Sequence, residues 1–308
     1  MILYLLYRLG VLLATVMPLG ISYYFASVCA DIAYHLSPRD RQAIHDNLAI
    51  VLDGRVENAR FEAMAKEVFR NFAKYLVDFF RFSKVDQAYV KKYVHVKGLE
   101  NVDQALSKGK GCIMLSAHIG NWELGGTILP FLGYPMSAVV LTHQNKLIND
   151  FFTRQRLIGK FTPIEIGISL KACYTVLKSN NLLALLGDRD FTKNGIYIDF
   201  FGHPALMPRG PAALSYRTGS AILPTFMIRE PDDTFTLSIG APIYPHTTKD
   251  GHRGNVSHDE EERVVKELAG QYLPAVEACI RKYPTQWYAF RSIWNPEKHE
   301  NLRPDTII

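Results

Sequence analysis

The sequence predicts an α/β fold: a mixed, largely buried β-sheet flanked by helices, preceded by an N-terminal hydrophobic helix that associates with a membrane. Three observations carry this. Short apolar runs without polar alternation recur through the middle of the chain, as strands buried on both faces require. Stretches of helical periodicity separate several of them. A long uncharged stretch stands near the amino terminus. The bulk numbers agree: 308 residues suffice for a large core, and 48 % hydrophobic with 21 % charged residues excludes both a disordered chain and a multi-span membrane protein.

In chain order, Leu9 to Ala30 carries no charge and is bracketed by Arg8 and Asp31. At ~1.5 Å per residue a helix of that length reaches across a hydrocarbon core of ~30 Å. It fits a membrane span kinked at Pro18 and Gly20, a helix lying in the headgroup layer because Ser22, Tyr23 and Tyr24 dilute it, a cleaved signal peptide, or an ordinary buried helix. If the segment spans, Arg39, Arg41 and Lys66 would hold the following body at the cytoplasmic face of the inner membrane. The expected organisation is an anchoring or interfacial helix over 1–35 and a single α/β domain over 36–308.

Arg41–Leu52 and Ala59–Phe82 read as amphipathic helices, the second with Phe69, Phe72, Leu76, Phe79 and Phe80 on a core stripe. Strands are expected at Tyr93–Gly98, Gly111–Ala117, Met136–Thr142, Leu182–Asp188, Ile196–Gly202, Ala221–Glu230 and Thr234–Ile243. Helices are expected at Asn101–Lys108, Asn149–Ile158, Ser169–Ser179 and Pro211–Thr218. A polar stretch with His246, His252 and His258 leads into a last helix ending at Tyr283, whose acidic start is a solvated face complementing the helix dipole.

The 35 basic against 30 acidic residues give a net +5, too dispersed for nucleic acid and in keeping with a weak pull toward anionic headgroups. Cys29, Cys112, Cys173 and Cys279 lie too far apart for a zinc or redox motif, so free thiols in a reducing compartment are expected.

The chemistry concentrates in "LSAHIGNWELGG", Leu115 to Gly126. On one straight helix His118 and Glu123 would sit ~140° apart and could not meet. A strand ending before His118, a turn at Gly120 and Asn121 and a helix starting at Trp122 bring the carboxylate back toward the ring, at the strand end where α/β folds bind ligands. An imidazole takes a proton near neutral pH, and a carboxylate on its far nitrogen fixes the tautomer. A lone histidine after an apolar strand is more often a satisfied core residue. Ser116 lacks the nucleophile-elbow signature, so the proton is expected to come from a substrate hydroxyl.

"AHIGNWELGG", the block from "GDRDFTKNG" through "LPTFMIR" and "YPTQWYAF" resemble successive motifs of the bacterial lysophospholipid-acyltransferase-like family, in the branch of lipid A late acyltransferases (lauroyl and myristoyl transferases) and phosphatidylinositol mannoside acyltransferases. The resemblance spans most of the chain, including Arg41, Asn47 and Leu48 and the late proline Pro224. It implies a membrane-associated acyltransferase in which His118 and Glu123 form a general-base dyad. The donor would be acyl carrier protein or acyl-CoA, with no other cofactor and no metal, and the acceptor a glycolipid or lysophospholipid. Donor or acceptor contacts are expected from Gly120, Asn121, Trp122, Thr142, His143, Asp188, Arg189, Asp190 and Arg209, with the Gly120–Asn121 amides or the Asn121 side chain serving the oxyanion. Thr142, His143 and Gln144 stand where lipid A enzymes carry Tyr-Arg-Pro, so an arginine for an anionic acceptor is missing there. Two rivals remain: a metal-dependent hydrolase gathering His118, Glu123, Asp188, Asp190 and His143 round a cation, and a non-catalytic lipid-binding protein on the same fold.

Overall fold

A computed structural model describes residues 1–54, 57–166, 169–190, 194–246 and 258–294. The uncharged N-terminal stretch is not one helix but part of two, α1 (Ile2–Val16) and α2 (Leu19–Leu36). Proline disfavours helical geometry in the residue before it, and Met17 is extended, at φ −76° and ψ 149°. The carbonyls of Ala14 and Met17 at the end of α1 accept from Arg81. Among the described residues no helix is long and apolar enough to cross a membrane, which corrects the kinked-span reading. One face of the pair is buried through Tyr7, Ala14, Tyr23, Ala30 and Tyr34, while Leu5, Leu9 and Leu12 on α1 and Phe25, Val28 and Ile32 on α2 are exposed.

Helix α3 (Pro38–Val51) presents Asn47, whose side chain donates to the carbonyls of Ala289 and Arg291 and accepts from the Ile293 N–H. It thereby fastens the late "YAFRSI" segment. The aromatic stripe of α4 (Asn58–Phe80) is core, as its periodicity predicts: Phe69, Phe72, Phe79 and Phe80 are buried. After α5 (Gln87–Tyr93), the elements run β1 (Val94–Lys97), α6 (Leu99–Leu106), β2 (Cys112–Ser116), α7 (Trp122–Phe131), β3 (Met136–Val140), α8 (Lys146–Ile158), β4 (Thr162–Glu165), α9 (Ser169–Lys178) and β5 (Leu182–Leu186). There follow β6 (Ile196–Phe200), β7 (His203–Met207), α10 (Gly210–Thr218), β8 (Ala221–Arg229), β9 (Phe235–Ile239) and α11 (His258–Lys282).

Among the described residues seven strands form one sheet in the order β1-β9-β8-β2-β5-β3-β4, parallel throughout except where β8 meets β9. Strand β2 alternates faces: Ile113 and Leu115 join the apolar layer with α9, α10 and α11, while Cys112 and Met114 join the layer with α7, α8 and the N-terminal helices. Its carboxyl end therefore emerges between two sealed layers. Strands β4 and β7 lack a sequence signal because Pro163 and Pro204 interrupt their short runs; β4 lies at the sheet edge and β7 in a ribbon, where proline is tolerated. The run at β6, expected in the main sheet, pairs instead with β7 in a two-stranded ribbon. The connecting Phe201 and Gly202 have φ of 58° and 78°, the geometry of a two-residue hairpin turn. His246 pairs with Glu267 at 3.0 Å, and His252 lies outside the described residues. The four cysteines are free thiols.

Candidate active site

Strands β2 and β5 are parallel with Ser116 opposite Leu186, so the residues two places beyond each strand stand side by side: His118 and Asp188. Their contact is the centre of the site. One carboxylate oxygen of Asp188 takes His118 Nδ1 at 2.8 Å, and the other accepts from the His118 backbone N–H at 3.1 Å and Trp287 Nε1 at 2.9 Å. Tyr288 N–H closes on the His118 carbonyl at 2.8 Å. Ring and backbone are thus both fixed, and a ring nitrogen that donates to a carboxylate leaves the imidazole lone pair on Nε2.

This corrects the expected contact between His118 and Glu123. Helix α7 does bring Glu123 back to the same cavity wall, but its carboxylate is held by Arg156 of α8, at 2.7 Å from Nη2 and 3.1 Å from Nε. Both side chains are buried, so Glu123 balances Arg156 while Asp188 serves the ring.

The turn between strand and helix forms as its glycine suggests. Gly120 has φ +62°, and a Cβ there would come 2.0 Å from the Met227 carbonyl, so only glycine fits. The oxyanion role expected of this turn is not available to it. The Gly120 N–H donates to the Gln286 carbonyl at 2.9 Å, and the Asn121 N–H to the Met227 carbonyl at 2.7 Å. The Asn121 side chain accepts from Leu124 N–H at 3.1 Å, capping α7, and donates to Asp78 at 2.8 Å.

The cavity beside this turn holds about 550 Å³. Its apolar wall includes Met114, Gly125, Gly126, Met136, Ala138 and Phe161, and its polar wall brings together His118, Trp122, Glu123, His143, Arg189, Asp190 and Arg209. Trp122 stacks on Tyr75 at 4.3 Å and sets its edge toward the His118 ring at 5.3 Å. His143 stacks on Phe152 at 4.6 Å, and Asp190 accepts from the Gly195 N–H. Arg209 lies 3.8 Å from Glu261, which Arg217 approaches to 2.7 Å. Thr142 is not part of the wall; its hydroxyl faces Glu165 at 3.5 Å. Among the described residues no group of three or more His, Cys, Asp and Glu is placed to hold a metal ion, so the grouping required by the metal-hydrolase alternative does not form there. Sequence reasoning missed Arg156, Trp287 and Tyr75: Trp287 lies in the quoted "YPTQWYAF" block, while Arg156 has no local signal.

Electrostatics favour a neutral ring. Burial, and then the charge of Arg189, push His118 below the ordinary histidine value of 6.5, with Asp188 pulling the other way. Arg189 Nε lies 3.2 Å from the same Nδ1, but a nitrogen donating to Asp188 does not also accept, so this contact acts through charge. Burial would raise Asp188; the His118 charge and hydrogen bond, Arg189 and Trp287 together overrule it and hold the carboxyl well below the usual range. A base works only above its pKa, so the acid limb of a reaction that uses His118 lies below pH 6.5. Arg189→Gln removes the second cause and moves that limb upward. A pH profile of kcat/KM checks both, and a wild-type limb at or above 6.5 contradicts the assignment.

Sequence comparisons fit this geometry. A family model described as bacterial lipid A biosynthesis acyltransferase matches residues 1–295. The phosphatidylinositol mannoside acyltransferase of Mycolicibacterium smegmatis is 26 % identical over 237 residues, covering 76 % of this chain and 73 % of its own. The lipid A biosynthesis palmitoleoyltransferase of Escherichia coli is 26 % identical over 215 residues, covering 69 % and 70 %. The lipid A biosynthesis acyltransferase of Haemophilus influenzae is 26 % identical over 196 residues, covering 62 % and 60 %.

Proposed function

Because this chain belongs to the bacterial lipid A biosynthesis acyltransferase family, we propose that it moves a fatty acyl chain from a thioester of acyl carrier protein or coenzyme A to a hydroxyl of a glycolipid or lysophospholipid, with His118 as general base. The observation that carries the reading is the buried His118–Asp188 pair, with His118 on the wall of a largely apolar cavity of about 550 Å³ and Asp188 behind it. A thioester acyl chain needs a dry apolar lobe, and an acceptor hydroxyl needs a neutral base fixed beside that lobe.

In the proposed reaction the acceptor hydroxyl gives its proton to His118 Nε2 as its oxygen attacks the thioester carbonyl. Asp188 stabilises the imidazolium that forms. The tetrahedral intermediate collapses by breaking the C–S bond, and the proton passes from His118 to the departing thiolate, so the ring ends neutral and no covalent enzyme intermediate arises. With the Gly120 and Asn121 amides already engaged, the Arg189 guanidinium in the cavity wall supplies positive charge for the oxyanion. Glu123 and Arg156 hold the wall by their ion pair.

The membrane enters through α1 and α2, whose exposed Leu5, Leu9 and Leu12 on one helix and Phe25, Val28 and Ile32 on the other recur at helical spacing. Such a face lies in the headgroup layer rather than crossing it, and holds the protein at a cytoplasmic membrane surface where the lipid acceptor resides and a soluble thioester donor has access. The test is transfer from radiolabelled palmitoyl-coenzyme A or palmitoyl-acyl carrier protein to underacylated lipid A, phosphatidylinositol mannoside or lysophosphatidylglycerol in anionic vesicles. One labelled acceptor is expected. Vesicle binding without transfer from either donor to any acceptor points instead to the non-catalytic lipid-binding alternative.

A further inference from the structure

The turn that carries His118 is tied to the N-terminal helices by a buried polar cluster in which the proposed reaction has no part. Asp78, in the last turn of α4, is 5 % exposed. One of its carboxylate oxygens accepts from the Tyr23 hydroxyl of α2 at 2.5 Å. The other accepts from Asn121 Nδ2 at 2.8 Å and pairs with Arg229 of β8. Arg229 also donates to the Tyr23 hydroxyl at 2.9 Å and to Asp233 at 3.2 Å, with its guanidinium over the rings of Tyr23 and Phe235. The circuit closes through Gln286, whose side chain bonds the Arg229 backbone twice and whose carbonyl accepts from the Gly120 N–H.

We propose that Asp78 is a positioning residue for acyl transfer: through Asn121 it fixes the turn on which the His118 ring stands, and through Tyr23 it makes that turn answer to the seating of α2. Both ends of the Asn121 amide are spoken for, the oxygen by the first turn of α7 and the nitrogen by Asp78, so its orientation sets the start of the helix relative to α4. A buried charge pair is a costly way to join a helix to a strand when both already sit in the apolar core, and what such a network adds is one specified geometry. Displacement of a catalytic group by about 1 Å is worth up to about 10²-fold in rate.

The inference rests on the acyl-transfer reading, and the experiment separates the two. Asn121→Ser keeps a good helix cap but cannot reach Asp78; Tyr23→Phe removes only the two hydrogen bonds by which α2 joins the cluster, to Asp78 and from Arg229. Full-length variants are assayed for thiol release from palmitoyl-coenzyme A in phosphatidylglycerol vesicles that carry underacylated lipid A, phosphatidylinositol mannoside or lysophosphatidylglycerol as acceptor, alongside His118→Ala and thermal unfolding. The expected result is a kcat reduced about tenfold in Asn121→Ser and less in Tyr23→Phe, with KM for palmitoyl-coenzyme A and the folded fraction unchanged. A kcat within twofold of wild type in Asn121→Ser, or a loss confined to KM or to folded fraction, overturns the positioning role. Thiol release that persists undiminished in His118→Ala overturns the acyl-transfer reading itself.

Discussion

His118→Ala is expected to lower kcat by about 10²- to 10⁴-fold, the usual contribution of a positioned general base, with little change in the binding of the donor. The fold should survive the change. The Asp188 carboxylate keeps two donors, the backbone N–H of residue 118 and Trp287 Nε1, and the backbone of the turn remains tied to Tyr288, Gln286 and Met227. Circular dichroism and vesicle binding should therefore match the wild type while turnover is lost. Substantial activity in a folded His118→Ala protein is incompatible with the mechanism.

The second expected result separates the two carboxylates. In Asp188→Asn the amide oxygen is drawn to the two N–H donors that face one side of the group, which turns the amide NH2 toward His118 Nδ1. That nitrogen must then accept, the ring proton moves to Nε2, and the lone pair needed for the acceptor hydroxyl is gone. A kcat loss on the order of 10²- to 10⁴-fold is expected in a protein of nearly unchanged shape. Glu123→Gln is different in kind: it leaves the buried Arg156 guanidinium uncompensated, at a cost of about 3–5 kcal/mol in stability. Per folded molecule its kcat should stay within about tenfold of wild type, because Glu123 does not bond the ring. Replacing Glu123 and Arg156 together by leucine and methionine should recover most of that stability. Denaturant unfolding and steady-state kinetics on the same preparations check both halves.

The pattern of what was legible follows from the range of each signal. Strand β2, the turn at Gly120 and helix α7 were readable because an apolar run, a glycine and a capping asparagine are local features. The Gly120 conformation, incompatible with any side chain against Met227, shows why that glycine is there. Asp188 was readable as part of a motif block, and the strand before it as well. Its partner was not, since the meeting of His118 and Asp188 depends on β2 and β5 being neighbours in parallel register across a chain separation of 70 positions. Glu123 looked like the partner because it is near in sequence, whereas the cation that claims it, Arg156, comes from a helix whose packing no local pattern encodes. Of the readings open for the N-terminal stretch, the kinked span fails for a simpler reason. Absence of charge measures hydropathy, and the break at Met17–Pro18 is a matter of backbone sterics.

The central claim, acyl transfer through His118, is tested most directly by mass spectrometry of the membrane lipids of a deletion strain complemented with wild type or with His118→Ala at equal protein level. The account predicts one lipid class that lacks a single acyl chain in the deletion strain, regains it with the wild type and does not regain it with His118→Ala. Restoration of that acyl chain by His118→Ala would contradict it.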